Sequence, residues 1–210
     1  MNPKKRREIF AKLASLRPDP KSELNFGTPF ELLIAVMLSA QATDKSVNVA
    51  TEKLYKIANT PESIYALGVE GLEPYIARIG LYHAKAKHVI ETCRALLDRF
   101  DGKVPDDFEA LVSLPGVGEK TANVVLNVAF GHPTIAVDTH IFRVANRTGL
   151  AVAKTPSDVS RKLAKLTPKE FLKNAHHWLL LHGRYCCKAR LPQCKECPIL
   201  DFCEFKAKNL

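Results

Sequence analysis

Large apolar residues recur along most of the chain three and four positions apart, the spacing of a helix face rather than of a strand. Near the N-terminus, Ile9, Phe10, Leu13 and Leu16 form one such face. Residues 30–38 are apolar on every side, which predicts the central buried helix of a bundle. Phe108, Leu111, Val112 and Leu114 make a short helical stripe. Ala122, Val125 and Ala129, with Val124 and Val128 beside them, make another. The one short strand-like stretch, residues 134–137, reads as a buried connection. Helix starts are marked locally. Thr155-Pro156-Ser157-Asp158 and Thr167-Pro168-Lys169-Glu170 each combine a Thr cap, a proline at the first helical position and an acid two residues later. Thr60-Pro61-Glu62 is a shorter version. Glycines 71, 80, 102, 131, 149 and 183 punctuate the segments between. The pattern predicts an all-α chain of about ten helices. Pro18 and Pro20, with Lys21 and Ser22, mark a linker after the first of them.

Charge then narrows the partner. The 210 residues carry 31 Lys and Arg against 22 Asp and Glu, a net charge of +9, which favours a polyanion, nucleic acid before a membrane surface. The longest apolar run begins at Phe30 and is too short to span a bilayer. The amino-terminal stretch is charged and amphipathic rather than leader-like, so the expected location is cytoplasmic. Five of the six cysteines lie between 186 and 203. In a reducing compartment such clustering points to a metal rather than to disulfides.

Residues 114–122, LPGVGEKTA, superficially match a nucleotide-binding P-loop. Glu119 separates Gly118 from Lys120, and the preceding segment has helical rather than strand spacing, so the P-loop reading fails. What remains is a tight Pro-Gly turn between two helices, whose free amides and positive helix end form an anion site suited to a duplex phosphate. Lys120 falls in the first turn of the second helix. There the dipole disfavours an ammonium and favours the neutral amine that a nucleophile needs.

Asp138 opens another helical pattern, with Ile141, Phe142, Val144 and Ala145 following. Its plain role is an N-cap; beside an amine nucleophile its carboxylate could also stabilise a sugar cation or relay protons. Arg143 and Arg147 lie one turn apart and could face phosphates. From Cys187 the tail runs C-x6-C-x2-C-x5-C through Cys194 and Cys197 to Cys203. Four thiolates in one loop suit either structural zinc or a [4Fe–4S] cluster, and spacing alone does not choose. Lys188, Arg190 and Lys195 sit inside this loop, where a metal would stiffen them into a phosphate-contacting surface.

Taken together, LPGVGEKTANVV, VDTHIFRVANR, HGRYCCKARLPQCKECPILDFC, ELNFGTPFELLIAVMLSAQATD and IGLYHAKA resemble the bacterial endonuclease III family. These are helix–hairpin–helix DNA glycosylases with AP-lyase activity and a C-terminal iron–sulfur loop. The resemblance covers essentially the whole chain. It implies two helical domains with a DNA cleft between them. One is a six-helix barrel over 22–132, with the helix–hairpin–helix at about 108–130. The other is a discontinuous domain of 1–21 and 133–210 whose loop 187–203 holds the cluster.

The resemblance also implies roles. Lys120 matches the catalytic amine that attacks C1′, expels the base and leaves an imine open to β-elimination. Asp138 matches the assisting acid. Gln41 matches the residue that fills the space of the extruded base, and Leu81 the wedge on the opposite strand; without the family they would read as a helix-end polar residue and a core leucine. Leu114, Gly116, Val117 and Gly118 of the hairpin, with His140, Arg143, Lys188, Arg190 and Lys195, are the implied DNA contacts. Cys187, Cys194, Cys197 and Cys203 match the [4Fe–4S] ligands, which moves the metal from zinc to iron. Cys186 reads as a bystander thiol and Cys93 as a buried helix residue. The expected enzyme is a nucleoid-associated monomer acting on oxidised pyrimidines and abasic sites in double-stranded DNA. The alternatives are a monofunctional adenine glycosylase relative, which generally lacks the lysine, and a non-enzymatic metal-stapled DNA-binding module.

Overall fold

A computed structural model describes residues 1–210. It is all helical: α1 (Pro3–Leu16), α2 (Pro29–Leu38), α3 (Asp44–Leu54), α4 (Pro61–Ile76), α5 (Tyr82–Phe100), α6 (Phe108–Val112), α7 (Glu119–Phe130), α8 (Thr139–Thr148), α9 (Pro156–Leu166) and α10 (Leu172–Tyr185), with 3-10 turns at Lys169–Phe171 and Leu200–Phe202. No helix is long and apolar enough to cross a membrane. The chain divides into two compact units: Ser22–Gly131, and Met1–Lys21 together with His132–Leu210.

Within Ser22–Gly131, α2 is the core helix, and every residue from Phe30 to Leu38 is buried. Thr28 starts it by accepting the Glu31 N–H at 3.1 Å, with Pro29 in the first turn. Each fully buried Leu or Ile on it contributes about 1.5–3 kcal/mol relative to an exposed position. Glu31 is the one charged residue in this apolar run. Its carboxylate accepts from the Gly27 N–H at 2.5 Å and from Asn59 Nδ2 at 3.1 Å, which offsets its desolvation. The Thr60 start is stronger than its sequence implied. Ser63 completes a reciprocal capping box there.

The discontinuous unit is built around α8 and α10, with α1 returning to pack in the same core as Ile141, Val144 and Leu179. Phe10 stacks on Phe171 at 5.9 Å, and Phe171 meets Trp178 edge-on at 6.0 Å. Trp178 Nε1 donates to the Arg17 carbonyl at 2.8 Å, tying the end of α1 to α10. A Cβ on Gly183 would stand 2.9 Å from that of His140, so α8 and α10 approach closely only because 183 is glycine. Residues 135–137 form the expected buried, non-strand connection.

Two local expectations change. Leu16 is 57% exposed, because the buried face of α1 ends at Leu13 and Leu16 is its last residue. Thr167 does not cap a helix: it closes α9, and a 3-10 turn at Lys169–Phe171 delays the start of α10 to Leu172. The Thr167 hydroxyl is left buried without a partner.

Candidate functional site

In Ser22–Gly131 the site is organised along α5. Thr92 Oγ1 donates to the Pro115 carbonyl at 2.5 Å, and Arg99 Nη2 to Ser113 Oγ at 2.7 Å, so one face of α5 holds the hairpin between α6 and α7. Gly116 takes φ +73°, and a Cβ there would lie 2.8 Å from that of His88 on the same face. Leu114 and Val117, 2% and 5% exposed, point into the core, and the Val117 N–H bonds the Leu114 carbonyl at 3.1 Å. They anchor the turn rather than offer side chains to DNA. Gly116 and Gly118 are the exposed hairpin residues. Gly118 caps α7 with no side-chain hydrogen bond at the first turn, and a Cβ there would meet nothing within 4 Å. The positive end of α7 is thus open to an anion at close approach. Lys120 follows on that first turn and is exposed.

Gln41 and Leu81 share an unusual backbone. Their φ values are +56° and +60°, left-handed conformations that cost a non-glycine residue about 1–2 kcal/mol. Leu81 is 64% exposed, so it is not a core leucine. Strain of this kind at an exposed apolar tip is characteristic of functional sites. Lys85, buried on α5, sits between the two. Its Nζ donates to the carbonyls of Leu38 at 2.9 Å and Ala40 at 2.7 Å, while its own N–H donates to the Leu81 carbonyl at 3.1 Å. Burial pushes its amine below the ordinary lysine value. The sequence reading missed Lys85. The available signal was its place on the stripe Lys85, Val89, Thr92 and Leu96, otherwise made of residues that bury readily.

In the discontinuous unit, Asp138 Oδ1 accepts the Ile141 N–H at 2.8 Å and caps α8. His140 Nδ1 lies 3.2 Å from Arg143 Nη2. Arg143 and Arg147 do not stand free for phosphates. Arg143 donates to the carbonyls of Cys187 at 2.9 Å and Gly183 at 2.8 Å. Arg147 donates to those of Lys188 at 2.7 Å and Ala189 at 3.0 Å, and to Cys187 Sγ at 3.7 Å. Both are pinned by the cysteine loop, which folds back over α8. Lys188, Arg190 and Lys195 are exposed on that loop.

All four predicted cysteine ligands line one small cavity, walled by Ile199, Leu200 and Phe205. None is in a disulfide. His182 Nε2 lies 3.8 Å from Cys197 Sγ, and His182, Cys186 and Cys197 bring their ligand atoms within 4.8 Å of one another, a group that could hold a metal. Cys186 is therefore not remote: its thiol lines the same cavity. Its hydrogen bond, with help from His182, pulls the Cys197 thiol down to about 4, favouring the thiolate a metal requires. Burial pushes Cys203 the other way. Cys93 is buried on α5, as its sequence context indicated.

Residues 34–169 match the model of the HhH-GPD superfamily of base excision DNA repair proteins. The chain is 61% identical to an endonuclease III of Escherichia coli K12 over 208 residues, covering 99% of each. It is 59% identical to that of Haemophilus influenzae Rd, again over 99% of each. Among solved structures, a trapped endonuclease III–DNA covalent intermediate is similar at TM-score 0.91 and 45% identity, over 97% of this chain and 96% of that one. The chain accordingly belongs to the endonuclease III family of the HhH-GPD superfamily and is a DNA glycosylase/AP lyase of base-excision repair.

Proposed function

We propose that the chain removes oxidised pyrimidines from double-stranded DNA and then cuts 3′ to the abasic site by β-elimination. The observation that carries this reading is Lys120 itself: an exposed amine on the first turn of α7, directly after a glycine turn that leaves the helix end open to a phosphate. A phosphate held there would place the adjoining sugar within reach of Nζ. The amine attacks C1′, the C1′–base bond breaks with its electron pair leaving on the base, and a proton reaches the departing base. The nitrogen, now bonded to C1′, loses a proton, the C1′–O4′ bond breaks with its electron pair leaving on O4′, which takes up a proton, and the opened sugar is left as an imine on Nζ. Loss of a C2′ proton then expels the 3′ phosphate and nicks the strand. A solved relative trapped as a covalent intermediate with DNA supports a nucleophile of this kind.

Asp138 is assigned the assisting acid. Its capping bond to Ile141 fixes the carboxylate through Oδ1. Chemistry on a base requires its extrusion from the stack, and Gln41 and Leu81 are assigned to fill the gap and wedge the opposite strand. Both residues are exposed. Cys187, Cys194, Cys197 and Cys203 would hold a [4Fe–4S] cluster. The donor set fits: these four sulfurs line one apolar-walled cavity, with Cys186 as a fifth beside them, and an Arg147 N–H is directed at Cys187 Sγ. Bound, the cluster supplies a crosslink that stiffens the loop carrying Lys188, Arg190 and Lys195.

Borohydride reduction with abasic duplex DNA tests the lyase reading. A covalent protein–DNA adduct is expected, absent in Lys120→Ala. Base release without any adduct from the wild-type chain would instead identify a monofunctional glycosylase.

A further inference from the structure

The two residues assigned to stabilise an extruded base come from different segments, the turn after α2 and the turn before α5. Neither has an intrinsic preference for the left-handed backbone it adopts. Something must hold both. Lys85 links the two: its side chain bonds the first turn, and its own helix, α5, starts at the second. Its ammonium takes the last carbonyl before Gln41, that of Ala40, and the Leu38 carbonyl at the C-terminal end of α2. These are carbonyls the helix itself leaves unsatisfied, and a cation there also meets the negative end of the α2 dipole. Its backbone N–H takes the Leu81 carbonyl. The stem between is 8% exposed and locked among the core side chains of α5.

We infer that Lys85 is a positioning residue for base extrusion, fixing Gln41 and Leu81 relative to each other so that both enter the duplex together. This rests on the insertion roles given to Gln41 and Leu81 above. None of these three hydrogen bonds is made to substrate. The contribution is preorganisation: two strained turns are set before DNA arrives, and the ordering cost is not met during extrusion.

The prediction is specific to substrates that must be opened. An abasic site in a single strand needs no extrusion and no wedge. The experiment compares single-turnover cleavage of one abasic strand, alone and in duplex, by the full chain. Rates are taken per active site, counted by saturating borohydride trapping on the single strand, so that misfolded protein does not enter. Lys85→Met keeps the stem and removes the ammonium. It is expected to slow duplex cleavage by about tenfold to a hundredfold, the worth of hydrogen bonds to a charged group, with single-strand cleavage unchanged. Lys85→Arg, which restores a cation and donors, is expected to recover part of the duplex rate. In a Gln41→Ala/Leu81→Ala background, which should itself slow duplex cleavage, Lys85→Met is expected to add nothing. Equal loss on both substrates, or a full further loss in the double-variant background, overturns the inference while leaving the insertion reading standing. If Gln41→Ala/Leu81→Ala leaves duplex cleavage unchanged, the insertion reading itself falls, and this inference with it.

Discussion

Gly116 and Gly118 stand two residues apart in one turn, yet the structure gives them opposite jobs, and replacing each by alanine separates folding from binding. At Gly116 the backbone is left-handed, φ +73°, so alanine carries a conformational cost of about 1–2 kcal/mol. Its Cβ would also stand 2.8 Å from His88 Cβ, 3.0 Å from His88 Cγ and 3.2 Å from Met37 Cε. The first is an inner side-chain atom that cannot swing away without moving α5. Overpacking of that kind adds about 1–3 kcal/mol. Gly116→Ala is therefore expected to destabilise by about 2–5 kcal/mol, lowering the thermal midpoint by roughly 4–20 °C for a chain of this size. Gly118 has φ −94° and open space where a Cβ would go. Gly118→Ala should destabilise by only about 0.5–1 kcal/mol, the preference of an N-cap for glycine over alanine. It should nevertheless weaken binding to abasic duplex, because the new methyl occupies the approach to the open end of α7. Thermal unfolding by circular dichroism and a binding titration read the two effects. A stable Gly116→Ala, or a Gly118→Ala as destabilised as Gly116→Ala, would refute the account of the turn.

Three further outcomes follow from the discontinuous unit. Cys194→Ser should abolish stoichiometric iron and the visible absorption of a [4Fe–4S] centre, whereas Cys186→Ser should keep both; a colourless zinc protein would overturn the cluster assignment. Burial lowers His177 below its ordinary value of 6.5, so the fold accepts the neutral ring and the unfolded chain binds the proton first. Stability should fall as pH drops from about 6.5 toward the folded value, and urea midpoints at about pH 7 and pH 5 should differ less for His177→Gln than for the wild type. Replacing Lys188, Arg190 and Lys195 by alanine should flatten the dependence of log K on log salt by about 0.9 for each phosphate that is no longer neutralised; an unchanged slope would remove these residues from the DNA surface.

The helices were legible because their stripes and caps are local. Phe30 to Leu38 could only be buried, and Thr60 and Thr155 carry their caps within three residues. Thr167 carries the same local signal and does not cap, because the chain takes a 3-10 turn before Phe171 seats against Phe10 and Trp178. The cysteine set was legible from spacing; the position of Cys186 inside the cavity was not, because it depends on how the loop returns through Gln193. Arg143 and Arg147 read as phosphate ligands from their helix positions, and only the folded loop shows their guanidinium groups bonded to its carbonyls. Least legible were the left-handed turns at Gln41 and Leu81. No side-chain preference announces them, and Lys85, whose ammonium braces the first, lies more than forty residues from the Leu38 and Ala40 carbonyls it bonds.

The proposed chemistry begins at one atom, Lys120 Nζ. Borohydride-trapped adduct formed on abasic duplex, digested with protease and nuclease and sequenced by mass spectrometry, locates the attachment directly. The sugar remnant is expected on Lys120, in the peptide that carries Gly118 and Glu119. A remnant on any other lysine, or on the N-terminal amine of Met1, would contradict the assignment.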